Sequence, residues 1–167
     1  MSSAKSVCDR LEGFLGSVTN TYGSPDQFVA EWIKFAKMVV MAPGNRDKED
    51  WNFKGTTAAL SATEQAIEAS AGTLYGVLGV VLTEAEDVTF STYNAANPTV
   101  AGTDLNDGGN LSSSFVVRAD SATVTKYGGW VSPGGVYHDT YITVAATQRD
   151  EGAIAGTNQA YVLYREA

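Results

Sequence analysis

Few side chains in this sequence are of a type that does chemistry, and their spacing decides what each could do. His138 is the single histidine, and Asp139 follows it directly. A histidine beside a carboxylate suits the relay behind a nucleophile, but no Gly-x-Ser-x-Gly elbow accompanies the pair. Successive residues of a strand point to opposite faces, so His138 and Asp139 diverge if the segment is extended. One histidine and one cysteine, Cys8, are too few to ligate zinc, and a lone cysteine closes no internal disulfide. Glu84, Glu86 and Asp87 form an acidic cluster. Alternate spacing would put Glu84 and Glu86 on one face, as paired glycosidase carboxylates require; a solvated strand end explains the same residues without chemistry.

Asp104, Asn106 and Asp107, followed by Gly108 and Gly109, are weak calcium candidates. An EF-hand alternates its oxygen ligands and closes on a glutamate at the twelfth position; here Asn106 and Asp107 are adjacent and the twelfth residue is Phe115. An Asx-rich turn is the simpler reading. Gly128-Gly129 and Gly134-Gly135 lack phosphate-loop spacing and a following lysine. No cofactor is expected. Tyr127, Trp130, Tyr137 and Tyr141 crowd one stretch and could stack on sugar rings, bury against a partner protein, or form cross-strand pairs at the edge of a core.

The elements that would position these groups are legible from period and punctuation. In 5–19, Val7, Leu11, Phe14, Leu15 and Val18 recur at helical spacing, although Gly13 and Gly16 weaken the helix. Ser24-Pro25-Asp26-Gln27 combines an N-cap, a first-turn proline and a capping-box partner, which predicts a helix over 25–41 that stops before Pro43-Gly44. Only Gln27, Glu31, Lys34 and Lys37 mark a polar stripe on it, so its broad apolar surface is either buried within the chain or shared with another subunit. Phe28, Trp32, Phe35 and Val39 are the candidate interface residues. Ser61-x-x-Glu64 resembles a second capping box and predicts a helix over 62–70.

From there the period changes to two. Strands are expected over 74–82, 88–93, 114–119, 122–127, 136–147 and 158–165, with Ser132-Pro133-Gly134-Gly135 as a turn and 94–110 as a long loop reaching outward. The fold class is α+β: N-terminal helices packed with a C-terminal antiparallel β-sheet or sandwich. The domain organisation is a helical region over 1–72 and a β-rich region over 73–167, integrated as one domain.

Bulk composition narrows the function classes. The chain has 167 residues, 44% hydrophobic and 18% charged, which is globular composition. A formal net charge of -8, with 11 scattered Lys and Arg, disfavours phosphate backbones and anionic membrane surfaces as partners. Residues 1–5 lead into an amphipathic pattern, so no signal peptide is expected and synthesis in the cytoplasm is.

Wide helix hydrophobicity, a long polar-glycine loop and aromatic strands without site chemistry point away from an enzyme and towards a structural subunit that works by assembling. In composition and architecture the chain resembles small virion proteins, such as the capsid decoration or cement proteins of tailed bacteriophages. That resemblance implies a homo-oligomer such as a trimer, docked on a larger shell protein and incorporated in a virion. The alternative is a β-domain binding module that recognises a glycan or cell surface through its aromatics.

Overall fold

The computed structural model describes residues 25–41, 51–100, 106–148, 154 and 156–167. Among the described residues one α-helix, α1 (Pro25–Met41), precedes eight strands. These are β1 (Asn52–Gly55), β2 (Gln65–Glu68), β3 (Gly72–Val81), β4 (Val88–Tyr93), β5 (Leu111–Val117), β6 (Lys126–His138), β7 (Ile142–Gln148) and β8 (Asn158–Glu166). The helix expected over 5–19 and the capping residue Ser24 lie outside the described residues.

The strands form two antiparallel sheets of four, in the orders β1-β8-β3-β6 and β2-β7-β4-β5. The pairing has a simple logic. β1 pairs with β8, β2 with β7, β3 with β6 and β4 with β5. The first four strands meet the last four in reverse order, as if one long hairpin had been folded over and wrapped into two layers. β3–β8 and β4–β7 contacts then close each layer. This is the eight-stranded jelly roll, a double Greek key.

Period-two patterning explains why the layers close. Leu74, Val77, Val81, Val88, Phe90, Val117, Ile142, Val144, Ala146 and Val162 are all buried and share the core between the sheets. Phe90 and Phe115 stack there at 5.5 Å between ring centroids. Gly79 admits the Phe90 ring: a Cβ on it would lie 2.6 Å from ring carbons. A second apolar layer lies on the outer face of the β1-β8-β3-β6 sheet, where Phe28, Val29, Trp32, Ala36 and Val40 of α1 pack with Leu78, Val80 and Leu163. Phe28 stacks on Tyr127 at 3.8 Å.

Four sequence expectations are corrected. Residues 62–70 hold no helix: Ser61 Oγ accepts a bond from Thr63 N–H and bends the chain locally, and β2 then pairs with β7. The capping-box match was outweighed because Ile67 is the only large apolar residue of that segment, too little to bury a helix face, and ladder bonds to β7 were on offer. Residues 122–124 form a turn, closed by Ser121 Oγ accepting from Thr123 N–H, and the strand starts at Lys126. Residues 136–147 are two strands, broken where Asn94 bonds Asp139 and Thr140. Residues 132–135 do not turn the chain. Val131 pairs with Gly76 and Val136 with Leu74, so four residues bulge opposite Tyr75 inside β6, with Gly135 at φ 65°. β1 is a further strand, and it pairs with β8 from within 1–72.

Candidate functional site

His138 ends β6, and its side chain points into the sandwich, fully buried. Its Nε2 lies 2.7 Å from Ser112 Oγ and its Nδ1 3.1 Å from the Val136 carbonyl oxygen. Ser112 also meets Thr92, with Oγ 2.8 Å from Thr92 Oγ1 and 3.0 Å from its carbonyl. Burial drives the imidazole pKa below its ordinary value, against smaller opposing effects of the Val136 carbonyl and Asp139. Asp139 is exposed and accepts a bond from Asn94 Nδ2, so the two neighbours diverge as strand geometry requires. A serine and a histidine in contact resemble a nucleophile pair, but here the histidine's second nitrogen is held by a backbone carbonyl. The contact ties one sheet to the other.

Glu84 is buried and works as a clamp. Its Oε1 accepts from Ala85 N–H at 2.9 Å and its Oε2 from Gly156 N–H at 3.0 Å, which fixes the β3–β4 loop to the segment before β8. Glu86 is exposed. The expectation of a shared face for Glu84 and Glu86 is corrected: 84–86 is a loop, where alternation does not apply.

Asp107 has both carboxylate oxygens engaged, one by Thr99 N–H and the other by Asn110 Nδ2, and these bonds hold its pKa below the ordinary value. The arrangement is an Asx-rich turn that ties Thr99 to residues 107–110. Asp104 lies outside the described residues, and Asn106 is exposed. Among the described residues no group of three His, Cys, Asp or Glu converges as metal ligands would.

The four aromatic residues do not make one platform. Tyr127 lies under Phe28 of the helix. Trp130 packs against the inter-sheet core, and its buried indole nitrogen has no hydrogen-bond partner among the described residues. Tyr141 is half-buried, and Tyr137 alone is open, 62% exposed. The candidate interface on α1 is similarly divided. Phe28 and Trp32 are buried within the chain, while Phe35 and Val39 are half-buried.

A shallow recess of about 500 Å³ is lined by Asp87, Arg118, Ala119, Asp120 and Lys126. It holds two acids and two bases, with Lys126 Nζ 3.3 Å from Asp120 Oδ1, and no nucleophile. Among the described residues no helix is long and apolar enough to cross a membrane.

The sequence reading missed the outer edge of β5. Leu111–Val117 ends its sheet, and Ser114 and Val116 are exposed along it. The available signal was a seven-residue run with no charge, proline or glycine.

No family model matches the chain, and no curated protein matches it in sequence. Among solved structures it is similar to the Tobacco streak virus coat protein, with 11% identity, 74% of this chain and 91% of that one covered, and a TM-score of 0.33. PirA gives 12%, 73%, 99% and 0.27. The virus-like particle of the extra small virus of the giant freshwater prawn Macrobrachium rosenbergii gives 10%, 70%, 80% and 0.28. At TM-scores this low the likenesses carry no argument. The jelly-roll assignment stands on the chain's own pairing order.

Proposed function

We propose that this protein is a non-enzymatic structural subunit of a multimeric protein lattice, a virion protein, with capsid decoration as its particular role. The observation that carries the reading is how the reactive side chains are used: His138, Ser112, Glu84 and Asp107 are engaged in holding strands and loops together. The core between the sheets is filled with aliphatic and aromatic groups. Jelly rolls serve as capsid subunits, lectins and cupins, so the fold contributes by analogy only. A cupin's metal chemistry needs clustered ligands, and a glycan platform needs several open rings; neither arrangement occurs among the described residues. A formal charge of -8 fits an outer position on a shell better than one against the genome.

The partners are copies of this chain, as in a trimer, and a larger shell protein. Light scattering over a wide concentration range, with negative-stain microscopy, tests the reading. Expected are discrete oligomers or decorated particles. A monomer at every concentration that instead binds glycans through Tyr137 would overturn it.

A further inference from the structure

A β-sandwich has four sheet edges, and this one treats them unequally. Unpaired edges are templates for another strand, and proteins blunt them with shortness, bulges, prolines or charges. β1 and β2 are four residues each, and β2 is broken by a register shift between Ala66 and Glu68. β6 carries Pro133 and the bulge opposite Tyr75. β5 has seven residues and no charge, proline or glycine. Its single irregularity, opposite Thr92/Tyr93, lies at its start and leaves 113–117 in regular register with β4. Among the described residues no strand lies beyond it, and Val116 is 44% exposed there.

We propose that the β5 edge is a self-pairing surface: β5 of a second copy adds antiparallel across a two-fold axis at Ser114, joining two four-stranded sheets into one of eight. The occupant follows from charge. Two copies of a chain at -8 repel each other broadly, so a self-contact belongs where the surface is uncharged, and this strand is. Full overlap sets Ser114 against itself, Ser113 against Phe115 and Ser112 against Val116. It also sets Arg118, which is exposed, against Asn110, whose amide holds the Asp107 carboxylate. Each copy therefore brings its cation to the other's anion, a contact that closes only in the antiparallel, isologous arrangement. Seven residues a side is well short of the roughly 20–30 of a standard interface, so the pair forms with rising concentration and is reinforced by multivalency inside a lattice. The inference rests on the assembly reading for its partner.

Two variants in a Cys8→Ser background test it. Ser114→Cys puts two thiols opposite each other on the axis and should crosslink into a dimer under mild oxidation, while Val124→Cys, exposed but off the strand, should not. Ser114→Lys sets two ammonium groups face to face and should abolish the doubled mass expected for wild type in light scattering, with the melting midpoint lowered only by loss of the long 3.4 Å contact to Ser91. No crosslink above the Val124→Cys control, or self-association that survives Ser114→Lys, overturns edge pairing; surviving association leaves the assembly reading intact. A wild type that never self-associates overturns this inference, and glycan binding by that monomer would remove the assembly reading as well.

Discussion

His138 Nε2 sits 2.7 Å from Ser112 Oγ, and this contact joins the last residue of β6 in one sheet to β5 in the other. The Val136 carbonyl can only accept, so Nδ1 carries the ring proton. Burial keeps the imidazole neutral and its pKa below the ordinary 6.5. The unfolded chain takes up a proton as pH falls through about 6.5 and the folded chain does not, so stability is lost with falling pH until the folded pKa is reached. Thermal melts on the acid side of neutrality should show that slope. His138→Gln, which bonds without titrating, should flatten it. An equal slope in the variant would assign it to other groups.

At the alkaline end the sign reverses. Burial, with Glu68 next in effect, pushes the Tyr164 hydroxyl up to about 12, and the hydroxyl lies 3.2 Å from Glu68 Oε2. Unfolded tyrosine ionises near 10, so stability should fall as pH rises from about 10 towards 12. Ultraviolet titration of Tyr164→Phe against wild type should lack one step near pH 12.

Gly79→Ala tests the packing between the sheets. The added methyl would meet Phe90 ring carbons at 2.6 Å, deep in a core where neither the ring nor the strand can yield freely. Overpacking of this kind costs about 1–3 kcal/mol, which in a chain of this size lowers the melting midpoint by roughly 2–4 °C per kcal/mol. Gly134→Ala, where the nearest atom is Ser132 Oγ at 4.0 Å, should leave the midpoint unchanged.

The helix gives the clearest contrast between face and flank. Trp32→Ala removes a ring that is 6% exposed and packed beneath α1, and should destabilise by about 3–5 kcal/mol. Lys34→Ala removes an exposed ion pair to Glu31 at 3.0 Å and should cost less than about 0.5 kcal/mol. Chemical denaturation of both measures the difference. A Trp32 variant of wild-type stability and reduced oligomer mass would return that residue to an interface.

Local signals carried α1, β4 and β8. Pro25 marks the helix start, and the Val88–Tyr93 alternation matches its strand residue for residue. They failed where tertiary pairing outvoted them. Ser61 and Glu64 spell a helix start, yet β7 recruits the following residues into a ladder. Pro133 and the glycines around it spell a turn, yet on an edge strand they make a bulge. The jelly roll itself was out of reach, because β1 meets β8 across more than half the chain and no local period encodes that distance. For the same reason alternation put His138 on a face without saying that the face was the interior.

Glu84→Ala separates a clamp from a catalyst. The carboxylate bonds the Ala85 and Gly156 N–H groups, both only partly shielded from water, and its loss should cost about 1 kcal/mol. Amide exchange should speed up locally, at Ala85, Gly156 and the loop ends they fasten. Glu86→Ala, at an exposed position, should stay within about 0.5 kcal/mol of wild type. A carboxylate pair working as acid and base would make the two variants alike in lost activity and indifferent in stability. The clamp makes them unlike in stability, because one side chain holds the loop and the other faces water.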